Sequence, residues 1–172
     1  MNLQLTPRDR FERTTCACNE CKLACRHMPG ALIPGDAEAI AGHLGVQATD
    51  EWIEQHFRAS DGAKVVLQGN FLAVPSMVPA QKADGSCTFL DDDGRCTVHP
   101  VAPFGCAYLD MHMGQSEADE RSQATIRAQL EDLAKQGDHS KHIANLAEKG
   151  LVAPPLFERR RNLENAFEEV EA

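Results

Sequence analysis

Apolar residues recur along this chain with two different periods, and the change of period marks out its elements. Ala37, Ile40, Ala41 and Leu44 follow at helical spacing after Asp36, a residue suited to capping a helix start, and stop at Gly45. A second helix is predicted from Thr49, with Trp52, Ile53 and Phe57 on one face. The pattern then shortens. Lys64-Val-Val-Leu-Gln, a turn at Gly69-Asn70, and Phe71-Leu-Ala-Val up to Pro75 read as a β-hairpin over 64–78. A second hairpin is expected from Cys87-Thr-Phe-Leu and Cys96-Thr-Val-His around Asp92-Asp93-Gly94.

Beyond residue 115 the helical period returns. Ile126, Leu130, Leu133 and Ala134 line a helix of about 117–136 that ends before Gly137. Ile143, Leu146 and Ala147 line the next one, closed by Gly150. Pro154-Pro155 breaks the chain, and Leu163, Phe167 and Val170 mark a last amphipathic helix. Residues 1–15 are polar and read as a loose lead-in or a short strand. The expected fold class is α+β: a small cysteine-rich metal-binding domain with β-hairpins over residues 1–115. C-terminal helices over 116–172 are added and pack on the same domain.

The chemistry lies in the cysteines, whose seven positions fall in two stretches, Cys16, Cys18, Cys21, Cys25 and then Cys87, Cys96, Cys106. Cysteines serving only as small core residues would scatter with the other apolar positions. Spacings of two, three and four instead let several sulfurs converge, and soft thiolates converge on zinc or on iron–sulfur centres. An odd count argues against a disulfide framework. His99, between Cys96 and Cys106, joins the candidate ligands. Other features carry less. His43 and His56 fall on predicted helices, and His139 and His142 beside Asp138 read as solvated surface. Met111-His112-Met113 offers copper(I) donors, a pattern that ordinary packing also produces. The acidic triplet fails as a calcium loop, because Phe89 and Pro100 would stand where carboxylates are needed.

These residues resemble the YkgJ-type cysteine-cluster family, described as zinc- or iron-chelating domains. Its typical pattern is C-x-x-C-x-x-C-C followed by C-x-F-L-x-x-x-G-x-C and a final proline and cysteine. Cys87, Phe89, Leu90, Gly94, Cys96, Val98, Pro103 and Cys106 fall in register. The first stretch is a variant, C-x-C-x-x-C-x-x-x-C, and His99, Ala102 and Ala107 replace the usual tyrosine and two arginines. The resemblance covers about residues 16–110. It implies a thiolate-held iron–sulfur cluster or zinc, and, since some relatives are associated with protein lysine N-methylation, it also permits a metal-dependent enzyme. A thiol redox switch is a further alternative, requiring accessible thiolates of lowered pKa.

Charge and length narrow the partners. With 172 residues and a net charge of −9, the chain lacks the clustered cations of a general phosphate-binding surface, so no nucleic acid is expected. Arg159-Arg160-Arg161 is followed by Glu164, Glu168, Glu169 and Glu171, which offset it. No apolar run approaches the roughly 20 residues of a membrane span, so no membrane partner is expected. The first residues lack the plan of a signal peptide, and a cytoplasmic, reducing location is the expectation.

Overall fold

The computed structural model describes residues 5–172; the first four residues of the predicted lead-in lie outside the described residues. Its elements are α1 (Pro7–Arg10), α2 (Asn19–His27), α3 (Asp36–His43), α4 (Asp50–His56), β1 (Phe57–Leu67), β2 (Asn70–Pro79), α5 (Phe104–Ala107), α6 (Gln115–Ala134), α7 (Asp138–Glu148) and α8 (Leu156–Glu171). A single turn of 3-10 helix, His99–Val101, precedes α5. The α+β expectation holds: one antiparallel hairpin, helices around it, and three helices at the C-terminal side.

β1 and β2 pair from Phe57↔Pro79 to Leu67↔Asn70, with a register shift between Ser60 and Ala63. The turn is Gln68-Gly69, one residue earlier than predicted. Both residues have positive φ, 50° and 79°, the conformation that a two-residue hairpin needs and that glycine adopts without strain. The tip of β2 is solvent-exposed, whereas its root, Val74 and Met77–Pro79, is buried. That root carries the main core. Leu32, Ile40, Ile53, Phe57, Met77, Phe89, Val98, Ile143 and Leu146 form one buried cluster. A second, smaller cluster gathers Ile33, Phe104 and Tyr108, with Phe11 against it.

Local chemistry explains where the helices begin. Thr49 caps α4, its hydroxyl accepting from Trp52 N. Asp36, predicted as a cap, is instead the first residue of α3, while Gly35 with φ 92° holds the cap position. Its buried carboxylate has a larger task. It accepts from Ile33 N at 3.0 Å, from Phe104 N at 2.8 Å, and from Arg8 Nε and Nη2 at 2.9 and 2.6 Å. One side chain thus ties α1, α3 and α5 together.

Two further expectations are corrected, and one element is new. The stretch Cys18–Cys25 lies mostly on α2, a nine-residue helix that the apolar pattern does not predict. The second hairpin reduces to isolated bridges, Gln81↔Cys87 and Leu90↔Cys96. Asp91 forms the tight turn there, its Oδ1 accepting from Asp93 N and Arg95 N, and this local bonding replaces a ladder. Helix α6 turns Arg121, Ala124 and Gln129 inward and leaves Leu133 exposed, so its buried stripe is partly polar.

Candidate metal centre

Helix α2 is where the thiols acquire their geometry. Cys18 is its cap residue: the backbone there is extended, and the sulfur accepts from Cys21 N at 3.5 Å. Glu20 in the first turn and Arg26 and His27 in the last suit the helix dipole. Cys21 and Cys25 are separated by four residues and so lie on one face, a turn apart.

Residues 14–16 dock against the 107–112 segment. Thr14 N donates to Ala107 O at 2.9 Å, and the Thr14 hydroxyl makes a short hydrogen bond to Asp110. The other Asp110 oxygen accepts from His112 N at 2.9 Å. Arg121 adds a clamp, donating to both Glu12 O and Tyr108 O. This scaffold carries His112 to the start of α2, where its Nε2 lies 3.1 Å from the sulfur of Cys18.

The result is a compact group. One ligand atom from each of Cys16, Cys18, Cys21 and His112 lies within 4.8 Å of all the others. Around a single zinc, with Zn–S near 2.3 Å and Zn–N near 2.0–2.1 Å, tetrahedral ligands stand roughly 3.5–3.8 Å apart. Three thiols and an imidazole inside that ceiling therefore fit a divalent ion of zinc type. Among the described residues this is the single group of three or more such side chains that close.

Its electrostatics already lean toward ligation. The Cys18 thiol falls to about 6, first through the Cys21 N–H and then through His112. Contact with Cys18 raises the His112 pKa. Burial pushes Cys21 up to about 12, with Cys16 and Cys18 adding to the rise, although Met111 N–H favours its thiolate. An ion would remove that conflict, since a bound cation stabilises every thiolate at once.

Cys25 belongs to a different group. The Cys106 thiol hydrogen-bonds to it, bringing Cys25 down to about 7 and driving Cys106 well up. Cys106 also accepts from Gly30 N at 3.0 Å. Cys87 is held beside α2 because its N–H donates to Arg26 O at 2.9 Å. Burial pushes Cys87 up to about 12 and raises Cys96, and the charge of Cys25 adds to both shifts. His99 contributes its carbonyl to Arg13, and its side chain is not in the compact group.

The two stretches of cysteine thus meet at Cys25, through its hydrogen bond with Cys106. Cys16, Cys21, Cys25, Cys87, Cys96 and Cys106 all line one cavity of about 760 Å³, along with His99. The sequence reading placed His112 only in a copper(I) pattern and not with the cysteines, since nothing in its spacing links it to Cys18, 94 residues earlier. Asp110 beside Thr14 was equally hidden. Among the described residues no helix is long and apolar enough to cross a membrane. No family model matches this chain, and comparison with curated proteins and with solved structures finds no similar one, so the geometry alone carries the functional reading.

Proposed function

We propose that this protein binds a single divalent metal ion, zinc by preference, through Cys16, Cys18, Cys21 and His112. The observation that carries the reading is the convergence of these four ligand atoms within 4.8 Å. Their donor set is that of closed structural zinc sites, where four protein ligands complete the tetrahedron. Such a centre supplies cross-linking rather than an open coordination position. It would join the start of α2 to the segment after α5, which are far apart in sequence.

The remaining thiols, Cys25, Cys87, Cys96 and Cys106, are the second part of the proposal. Four thiolates are the donor number of both closed zinc and iron–sulfur sites. Among the described residues no three of these four close as tightly as the first group. In a four-iron cluster each thiolate binds a different iron, so a wider spacing suits such a cluster at this position. His99 stands on the same cavity as a reserve ligand.

Metal content measured on protein purified without oxygen, with its visible spectrum, tests the proposal. One zinc per chain is expected at the first group, and His112→Phe and Cys18→Ser should each weaken zinc by at least about tenfold. Zinc affinity unchanged in His112→Phe overturns the assignment.

A second reading has its own support. Cys18 is exposed, its pKa is near 6, and it touches His112, which is the environment of a reactive thiolate. In metal-free protein it would be the first thiol to react. Iodoacetamide labelling with and without zinc separates the two: protection by zinc supports ligation, and equal labelling supports a redox thiol.

A further inference from the structure

The basic run Arg159-Arg160-Arg161 finds no use in the metal reading, yet its first two members line the large cavity. Arg159 is 5 % exposed. Its Nε donates to Pro154 O at 3.0 Å and its Nη2 to Ser60 Oγ at 2.8 Å. Those bonds use two of the five N–H donors of a guanidinium. Among the described residues Arg159 makes no ion pair. The charge that reaches it is that of Asp61, an exposed residue beyond Ser60, and burial pulls the Arg159 pKa down.

A buried cation without a carboxylate partner is unfavourable unless something else neutralises it. Among the described residues the hydrogen bonds of Arg159 go to Pro154 O and Ser60 Oγ and none goes to a thiol. Arg160 lies next to it on the same wall and is exposed. The N-terminus of α8, a sixteen-residue helix, adds positive potential at Leu156, which also lines the cavity.

The contrast with the rest of the molecule is sharp. The chain has 26 acidic and 17 basic side chains, but the charged side chains of this cavity are Arg13, Lys22, Arg95, Arg159 and Arg160 against Asp110. Asp110 is engaged by Thr14 and His112. The rest of the wall is largely apolar, with Met28, Val78, Leu90, Leu109, Ile126 and Leu156. A volume of about 760 Å³ falls within the roughly 300–1,000 Å³ of small-molecule sites.

We propose that this cavity binds a small amphipathic organic anion, its carboxylate seated on the buried Arg159 and its hydrocarbon body along the apolar wall toward the thiols. The planar fork of a guanidinium matches a carboxylate in two parallel hydrogen bonds. The apolar wall selects a ligand with a hydrocarbon body over a bare inorganic anion.

Isothermal titration of the full chain, with zinc content recorded on the same sample, tests this with octanoate, octanol and inorganic phosphate. Octanoate should bind once per chain and at least about tenfold more tightly than either octanol or phosphate. Arg159→Gln should weaken octanoate by about tenfold or more and leave octanol unchanged. Arg161→Gln, on an exposed neighbour outside the cavity, should leave octanoate unchanged. Leu156→Trp, filling the cavity from its rim, should abolish octanoate binding while its circular dichroism melt matches the parent protein. Equal affinity for octanoate and octanol, phosphate binding as tight as octanoate, or octanoate binding that survives Arg159→Gln or Leu156→Trp overturns the proposal. Retained zinc in a protein that fails to bind octanoate places that failure on the anion site alone.

Discussion

Cys21 and Cys25 stand one turn apart on α2 and belong to different thiol groups: Cys21 gathers with Cys16, Cys18 and His112, and Cys25 with Cys106. A single helix therefore presents sulfur to two separate thiol groups. Cys25→Ser should leave cobalt(II) affinity at the first group within about threefold, while Cys21→Ser lowers it by at least about tenfold. Cobalt titration followed by thiolate-to-metal absorption reads both. Equal losses in the two variants would show that the seven thiols act as one set.

The second group depends on a backbone crossing. A Cβ on Gly105 would lie 2.6 Å from Ala31 N and 2.8 Å from Gly30 Cα, and a Cβ on Gly30 would collide with the Gly105 and Cys106 backbone. The obstacles are main chain and cannot rotate aside. Gly30→Ala and Gly105→Ala should each destabilise by about 1–3 kcal/mol or more, the cost of overpacking. Urea unfolding checks this, and a variant as stable as the parent would refute the tight crossing.

Asp36 is 1 % exposed and serves Arg8, Ile33 N and Phe104 N together. Asp36→Ala leaves a guanidinium and two amides unanswered, and a loss of about 3–5 kcal/mol is expected. The same variant should loosen α5 and with it Cys106, seen as faster thiol labelling. A loss below about 1 kcal/mol would mean that water replaces the carboxylate.

His139 gives the stability a pH dependence. It is 4 % exposed, its Nε2 finds no hydrogen-bond partner among the described residues, and burial lowers its pKa from 6.5 to about 4. Below pH 6.5 the unfolded chain binds a proton that the folded chain refuses. Stability contributed by neutral His139 therefore falls as pH drops from about 6.5 to 4, by on the order of 3 kcal/mol in all. His142, raised by Glu38, works in the opposite sense and offsets part of this. Denaturation at pH 7 and pH 4.5 should show a smaller difference in His139→Leu than in the parent; an identical difference would clear His139 of the effect.

The elements that rest on local signals were legible in the sequence. Thr49 with Trp52 and Ile53 marks α4, although Phe57, expected on the same helix face, instead opens β1; the Ile143-Leu146-Ala147 spacing marks α7, and the run around Gly69 marks the hairpin. Helix α2 was hidden because a sulfur replaces the usual oxygen at its cap and cysteines occupy its apolar face. The pairing of Asp36 with Arg8, and of Cys18 with His112, arises from tertiary packing across 28 and 94 residues. No period or cap announces such a contact. The cysteine types pointed to a group that could hold a metal ion, but which of them gather in it required the path of the chain.

The separation of Cys18 and His112 also bears on how the protein is made. Chains emerge from the ribosome at roughly 5–20 residues per second. With 94 residues between the two, the first three thiols are exposed for roughly 5–19 s before the imidazole exists. During synthesis they form an incomplete ligand set, open to any passing ion or oxidant. On the proposed function, loading of the finished centre is a late event, and its fidelity would rest on the metal supply and redox state that the nascent chain meets.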